Sequence, residues 1–369
     1  MKKTSNLNYL SLIFVLMYSC APKQDANPIT TTAIYDSTSY SANISAKKLV
    51  TNQFSILVNK IKTARTSTVT VTETDLKSLF NQELKNSSGA FSANIEGFLV
   101  EISKASGKTY KYGVDTTGEG GVYGAYLFDE KGLEYEQLAD KGLYGGFLYK
   151  NAAELLKPEM TSADVDIVLH LYGSNPSFPN TNTTTKTSNP DKFMAGYVAR
   201  RSDVNNEKSL YNNLEEAFTS LKIATKESSS TKTKQETAIA AIKLNWEKGN
   251  AATVINYLYS IISTLEKTSP TETEISGAMH AYSECVGFLL GWYYVPSSNR
   301  LIKDSEIQKI LDWHRYSLNG KHTVYIAVKD SFTSINNLNK SIKELQTIYS
   351  FTDAELVDFK KNWVTLQAR

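Results

Sequence analysis

The chain lacks an excess of either charge, with 40 Lys and Arg residues against 38 Asp and Glu in 369 residues. Nucleic acid and anionic membrane surfaces attract basic proteins, so neither is expected as the main partner. After the N-terminus no segment approaches the roughly 18 consecutive apolar residues of a transmembrane helix. HExxH, CxxC, P-loop and GxSxG motifs are also absent, so these enzyme signatures assign no reaction.

The first 20 residues have the pattern of an export signal. Lys2 and Lys3 precede an apolar run, Leu10–Met17, that is too short to span a bilayer, and Cys20 follows shortly after it. This resembles a bacterial lipoprotein signal peptide over residues 1–19, cleaved before Cys20, whose thiol then carries lipid. An ordinary secretory peptide is the alternative, and it leaves Cys20 as a free thiol. Cleavage lowers the basic count from 40 to 38, equal to the acidic count, so the mature protein is formally neutral.

Cysteine is scarce, with only Cys20 and Cys285 in the chain. If Cys20 carries lipid, no intrachain disulfide forms and stability must come from packing. Cys285 is then expected to be a small buried hydrophobic residue. Residues 20–45, rich in Thr, Ser, Asn and Ala, are interpreted as the lipidated cysteine and a flexible tether. The last part of the tether, residues 35–45, could already pack on the domain.

Apolar side chains recur at steps of three and four along most of the chain, which predicts helices. The predicted helices span 46–63, 75–84, 132–156, 208–225, 233–248, 251–267, 275–294, 304–313, 334–349 and 352–366, with a further one that begins at Asn94, and 162–171 is a short segment without an assigned type. Residues 107–132 are predicted to be a loop, and 323–328 fit a single strand without a partner. The predicted fold is all-α, with few or no strands and two packed helical bundles, 46–200 and 207–369.

The 275–294 helix carries a polar line of Gly277, His280, Glu284, Gly287 and Gly291. Glycine costs about 1 kcal/mol relative to alanine inside a helix, so three on one line predict that another backbone passes close by. His280 and Glu284 are four residues apart and point the same way. Such a pair can supply two metal ligands, or a base and its orienting partner. An ordinary helix-surface or interhelical hydrogen bond is the alternative interpretation.

The 132–156 helix also carries three glycines that permit a close helix crossing. If it crosses the 275–294 helix, Glu134 and Gln137 join His280 and Glu284 in one polar site. We name these four residues the candidate site, with His280 and Glu284 as the candidate metal ligands. Residues 174–190 form a long irregular segment, which in a compact protein is usually functional or disordered. It is interpreted as disordered, or as a loop that faces a carbohydrate or a partner.

Several phrases resemble a known family. They are YLFDEKGLEY at 126–135 followed by Gln137, KGL at 141–143, SDVNN at 202–206, and HAYSE at 280–284 followed by Gly287 and Phe288. Together they resemble an uncharacterised all-helical lipoprotein family of Gram-negative bacteria, catalogued as a domain of unknown function. That family is similar in style to imelysin-like proteins, which have two helical bundles and are tied to iron and haem uptake.

The chain departs from the imelysin pattern of Gly-x-His-x-x-Glu, because Gly277, His280 and Glu284 are each one residue further apart. The first hypothesis is a non-enzymatic outer-membrane lipoprotein, facing the periplasm or the cell surface, that serves nutrient uptake beside a transporter. The resemblance implies iron or haem as that nutrient. The second hypothesis is an imelysin-like metal-dependent peptidase, with Glu134 as a further ligand or the base. The third is a structural or adhesive surface protein.

Overall fold

The computed structural model describes residues 34–111, 118–181, 191–226 and 231–369, and this part of the chain is predominantly helical. The predicted all-α fold is therefore confirmed. Cys20, the tether residues before 34 and residues 182–190 of the irregular segment lie outside the described residues. Tyr35 is buried, and its hydroxyl donates a hydrogen bond to Asp166 at 2.6 Å. The end of the predicted tether is thus packed on the domain from Tyr35 onward.

The first half of the chain places a small hairpin among its helices. Its elements are α1 (Tyr40–Asn43), α2 (Ser45–Thr63), α3 (Glu73–Leu79), α4 (Gln82–Ser88), α5 (Ser92–Ala105), β1 (Gly121–Tyr123), β2 (Tyr126–Phe128), α6 (Tyr135–Leu143), α7 (Lys150–Leu155), α8 (Ser162–Tyr172) and α9 (Phe193–Arg201). A 3₁₀ turn at Gly89–Phe91 leads into α5, and a π-helical segment at Tyr144–Tyr149 joins α6 to α7. β1 and β2 pair antiparallel, with Val122 opposite Leu127. The loop predicted over 107–132 therefore contains a hairpin.

The second half is built around two long helices. Its elements are α10 (Leu210–Ala224), α11 (Thr231–Leu265), α12 (Glu272–Tyr293), α13 (Asp304–Trp313), α14 (Val324–Lys329), α15 (Ser331–Tyr349), α16 (Asp353–Phe359) and α17 (Trp363–Leu366), with a 3₁₀ turn at Ser297–Asn299. Thr271 caps α12 by accepting a hydrogen bond from the backbone N–H of Glu274, and the Glu274 side chain returns the contact. This capping box fixes where α12 begins.

Several of the predicted elements are wrong in detail, and the helix predicted over 75–84 is divided into α3 and α4. The helices predicted over 233–248 and 251–267 are one helix, α11, because Gly249 marks a close contact rather than an end. A Cβ on Gly249 would lie 2.3 Å from a methyl group of Val198. The strand predicted over 323–328 is helix α14, whose buried Val324 and Ala327 have helical spacing. The last predicted helix is divided into α16 and α17.

Helices α6 and α12 cross at the glycines that predicted the contact. A Cβ on Gly291 would lie 2.2 Å from the carbonyl oxygen of Gly142, and one on Gly145 would lie 2.4 Å from the carbonyl carbon of Gly291. A Cβ on Gly287 would lie 2.6 Å from the carbonyl oxygen of Gln137. The predicted crossing is confirmed. Gly277 has no such role, because a Cβ there would meet nothing within 4 Å.

One hydrophobic core extends from Tyr35 to Phe359. It includes Cys285, which is fully buried and has a free thiol, as predicted. Helix α12 packs on both α6 and α11, and α11 packs in turn on α9 and α10. The division into bundles at 200–207 stays a prediction. None of the helices in the described ranges is long and apolar enough to cross a membrane.

Candidate functional site

Glu134 and His280 meet where α6 begins beside α12. Glu134 has extended backbone immediately before α6, and its N–H donates a hydrogen bond to the Ser283 hydroxyl at 2.9 Å. Its carboxylate Oε2 lies 2.5 Å from Nδ1 of His280. Nε2 of the same imidazole lies 3.4 Å from Oε2 of Glu284. The structure therefore places the His280 ring between two carboxylates, one from each of the crossing helices.

Arg65, just after the end of α2, adds the first cation. Its Nη2 atom lies 2.9 Å from Oε1 of Glu134, and its Nε atom lies 2.5 Å from Oε2 of Glu136. The contact with Glu134 is an ion pair without hydrogen-bond geometry. Gln137 donates a hydrogen bond to Glu136 at 3.1 Å. Gln137 thus borders the cluster through Glu136 and makes no hydrogen bond to His280.

Lys141 adds a second cation on the other side of Glu284. Its Nζ atom lies 2.8 Å from a carboxylate oxygen of Asp140 and 3.6 Å from Oε1 of Glu284. The Tyr257 hydroxyl, from α11, donates to the same Glu284 oxygen at 2.9 Å. Lys62 lies at the protein surface, and its Nζ atom is 3.5 Å from Oδ2 of Asp140. Four carboxyl groups therefore face three cations around the neutral imidazole.

Burial sets the protonation of this cluster. Desolvation raises the pKa of Glu134 to about 7, against the opposing charge of Arg65. It raises the pKa of Glu136 to about 8, assisted by the neighbouring Glu134 charge. Desolvation lowers the pKa of His280 to about 4, so the imidazole is neutral at neutral pH. A neutral ring has one N–H, and it can donate to only one of its two flanking carboxylates.

The cluster reaches solvent through its aromatic edge. The Tyr126 ring of β2 stacks on the His280 ring at 4.0 Å between centroids, with an interplanar angle of 11°. The Arg65 guanidinium lies 5.0 Å from the centroid of the same Tyr126 ring. The side chain of His280 is 18% exposed, whereas that of Glu134 is fully buried. The hairpin that the sequence did not predict therefore covers the imidazole.

The candidate metal ligands are close enough to share an ion. A separation of 3.4 Å between His280 Nε2 and Glu284 Oε2 suits two ligands that each lie about 2 Å from a zinc ion. Over the described ranges, however, no group of three or more His, Cys, Asp or Glu side chains is arranged to hold a metal ion. Lys141 also places a positive charge beside Glu284. The metal assignment of His280 and Glu284 stays a prediction.

Two polar clefts lie next to the cluster. The smaller, of about 330 Å³, is lined by residues that include Lys62, Asp140 and Lys141. The larger, of about 680 Å³, lies between α9, α11 and the α16–α17 turn, and Tyr257 lines it. Tyr197 and Arg200 line both clefts. The hydroxyl of Tyr257 thus separates the larger cleft from the buried Glu284 carboxylate.

Sequence reasoning missed most of the charged partners. Glu136, Asp140 and Lys141 could have been found, because polar residues recur on α6 at steps of three and four in a helix that is otherwise apolar. Arg65 gave no signal, since a basic residue after a helix end normally faces solvent.

Comparison of the chain with protein-family models, with curated proteins and with solved structures gives no match. Function must therefore be argued from this geometry.

Proposed function

We propose that this protein is a lipid-anchored binding protein that captures a small polar ligand in the cleft between α9 and α11. The observation that carries the proposal is the cleft itself. At about 680 Å³ it falls in the range of small-molecule sites, roughly 300–1,000 Å³. Its lining combines tyrosine rings with hydroxyl, amide and cationic side chains, which are suited to holding a polar molecule.

The buried cluster favours a binding role over catalysis. An imidazole whose pKa is lowered to about 4 is a weak base at neutral pH. The pKa of Glu134, about 7, would suit a base, but its carboxylate is fully buried and already contacts Arg65 and His280. The Ser283 hydroxyl beside the cluster is fully buried and donates its proton to the Met279 carbonyl at 3.0 Å. The four carboxyl groups are offset by the three cations and by the raised pKa values of Glu134 and Glu136, which favour their neutral forms. These features support a cluster that fixes the α6–α12 crossing rather than one that turns over substrate.

The setting of the protein follows from its first residues. Lipid on Cys20 anchors it in the outer membrane, facing the periplasm or the cell surface, where it serves nutrient uptake beside a transporter. The family resemblance suggests iron or haem as that nutrient. Replacement Cys20→Ser is expected to move the protein from the membrane fraction to the soluble fraction. If the Cys20→Ser variant stays in the membrane fraction, the anchor is wrong.

Ligand retention tests the binding role. The full-length protein, purified in mild detergent from its own cells, is analysed by native mass spectrometry. Ser260 lies exposed in the cleft on α11, so Ser260→Trp is expected to fill the cleft and abolish a retained small molecule. Ala240→Trp, on an exposed site of the same helix, is the matched control and is expected to retain it. The proposal is contradicted if the extra mass of a retained small molecule is the same, or absent, in all three proteins.

A metal-dependent peptidase is the second candidate, favoured by the 3.4 Å separation of His280 and Glu284. Elemental analysis of the full-length protein, purified without chelator, separates the two candidates. Near one metal ion per chain, lost in the His280→Ala/Glu284→Ala double variant, would support the peptidase. A metal content that the double variant leaves unchanged is the result that the binding proposal predicts, and it leaves the pair as a packing feature.

A further inference from the structure

The larger cleft contains a buried arginine that has no counter-ion among the described residues. Arg201 ends α9 and is only 7% exposed. Its Nη1 atom donates a hydrogen bond to the Phe359 carbonyl at 3.0 Å, but its buried Nε has no hydrogen-bond partner among the described residues. Burying a charged group without a partner of opposite charge is costly, and most proteins avoid it. An unsatisfied guanidinium at the wall of a cleft therefore needs an explanation.

Two further cations surround the same space. The Arg200 guanidinium lies 4.2 Å from the centroid of the Tyr197 ring, and Nζ of Lys360 lies 4.2 Å from that of the Tyr259 ring. The aromatic rings hold both cations at the cleft. None of the acidic side chains that the structure describes lies within 4 Å of the charged nitrogens of Arg200, Arg201 or Lys360.

The contrast with the neighbouring cluster shows that the missing acids are a property of the cleft. In the cluster, Arg65 and Lys141 each contact two carboxylates. In the cleft, the lining residues are cationic, aromatic, hydroxyl or amide side chains, and none is acidic. Burial and the charge of Arg200 lower the pKa of Arg201 to about 10, so the guanidinium still carries its charge at neutral pH.

We propose that the cleft binds an oxyanion, a carboxylate or phosphate group of a small molecule, with Arg201 as the buried anchor and Arg200 and Lys360 as its flanking charges. A guanidinium presents a planar fork of N–H donors that matches the two oxygens of either group. The Asn256 amide lines the same wall, and it donates to the Phe359 carbonyl that also accepts from Arg201. The inference rests on the proposed binding function and names the chemical class of its ligand.

A purely structural role for Arg201 is the competing explanation, because its hydrogen bond to Phe359 ties α9 to the end of α16. The two explanations differ in what the flanking cations do. Arg200 is half-buried and Lys360 is exposed, so the Arg200→Gln/Lys360→Gln variant keeps the Arg201–Phe359 contact and is expected to fold. If the cleft binds an anion, that variant loses affinity although the structural contact remains.

Isothermal titration of the full-length protein with inorganic phosphate and, separately, with citrate tests the inference. We expect at least one of them to bind. The Arg200→Gln/Lys360→Gln variant and the Arg201→Lys variant should each weaken binding about tenfold or more, since one tenfold step is about 1.4 kcal/mol. Lys340→Gln removes an exposed charge outside the cleft and should change nothing. Circular dichroism confirms that each variant is folded.

The two probes separate the sources of the oxyanion, because binding of phosphate alone indicates a phosphorylated ligand and binding of citrate alone indicates a carboxylate. Failure of both probes to bind wild-type protein overturns the inference, as does binding that the cleft variants leave unchanged. The proposed function is tested independently by the retained mass that Ser260→Trp removes. A retained neutral molecule, with no response to either anion, would keep the binding function and reject the anion.

Discussion

The buried carboxylates predict that the protein loses stability as pH rises through the neutral range. Burial raises the pKa of Glu134 to about 7 and of Glu136 to about 8, from 4.5 in an exposed chain. Between pH 4.5 and each raised pKa, the folded protein holds a proton on that carboxyl group that the unfolded chain has released. The free energy of unfolding therefore falls with rising pH wherever the folded state binds more protons.

His280 changes the free energy of unfolding in the opposite direction, and its effect ends below the range of pH 6.5 to 8 in which the carboxyl groups are tested. Its folded pKa of about 4 is below the ordinary 6.5, so its contribution to stability is fully present above pH 6.5 and is lost as pH falls. Above pH 6.5 the slope comes from the raised carboxyl groups and from His322, whose pKa is raised, against desolvation, by its hydrogen bond to Asp129. Loss of one proton changes the free energy by about 1.4 kcal/mol per pH unit, so the expected decrease from pH 6.5 to 8 is about 2 kcal/mol.

Glu136→Gln removes one of the two raised carboxyl groups. Its side chain is 1% exposed, so solvent does not screen the effect. Urea unfolding followed by circular dichroism at pH 6.5 and 8 should show a smaller decrease for this variant than for wild type. Glu215, whose pKa burial raises to about 7, contributes a slope of its own. Glu215→Gln is therefore the control, and it should leave the contribution of the Glu134–Glu136 pair in place.

Equal losses of unfolding free energy in wild type and Glu136→Gln between pH 6.5 and 8 would contradict the raised pKa of Glu136. That outcome would mean that the pair is fully ionised at pH 6.5, with Arg65 offsetting both charges. Stability that rises over this window in wild type would be a stronger contradiction. It would require a group that titrates in this window and holds its proton less tightly in the folded protein than in the unfolded chain.

Two further predictions concern packing, and both are measured by urea unfolding at constant pH. Gly291→Ala should destabilise the protein by about 1–3 kcal/mol or more, because its Cβ would lie 2.2 Å from the Gly142 carbonyl oxygen, whereas Gly277→Ala should stabilise it by about 1 kcal/mol. Similar effects of the two alanines would contradict the crossing. Asp166→Asn should cost about 3–5 kcal/mol, because Lys222, 2.6 Å away and 3% exposed, would become a buried unpaired charge. A cost below about 1 kcal/mol would show that Lys222 escapes to solvent.

The helices and the α6–α12 crossing could be predicted because their causes are local. Apolar spacing reports which face of a helix is buried, and glycines at helical spacing report where two backbones approach. The crossing predicted from those glycines also placed Glu134 beside His280, and the two residues are in contact although they are 146 positions apart. Gly277 was a false signal. It lies on the same helical line as Gly287 and Gly291, but a Cβ there would meet nothing within 4 Å.

The charged partners could not be predicted, because a single sequence does not show which distant cation meets which carboxylate. Arg65 contacts Glu136 across 71 positions and Tyr257 contacts Glu284 across 27. Arg65 and Arg201 are the same residue type near a helix end, yet the first lies between carboxylates and the second contacts no carboxylate of the described residues. Only the fold separates a cation whose charge is already balanced from one that is not.

That difference indicates where this protein can gain energy from a ligand. In the cluster, an incoming anion would compete with Glu134, Glu136 and Glu284 for cations that are already paired. In the cleft, an anion would supply the partner that Arg201 lacks, and the desolvation cost of that guanidinium has already been met on folding. An anionic ligand would therefore be stabilised more by the cleft than by the cluster, even though the cluster contains more ionisable side chains and is more conspicuous in the sequence.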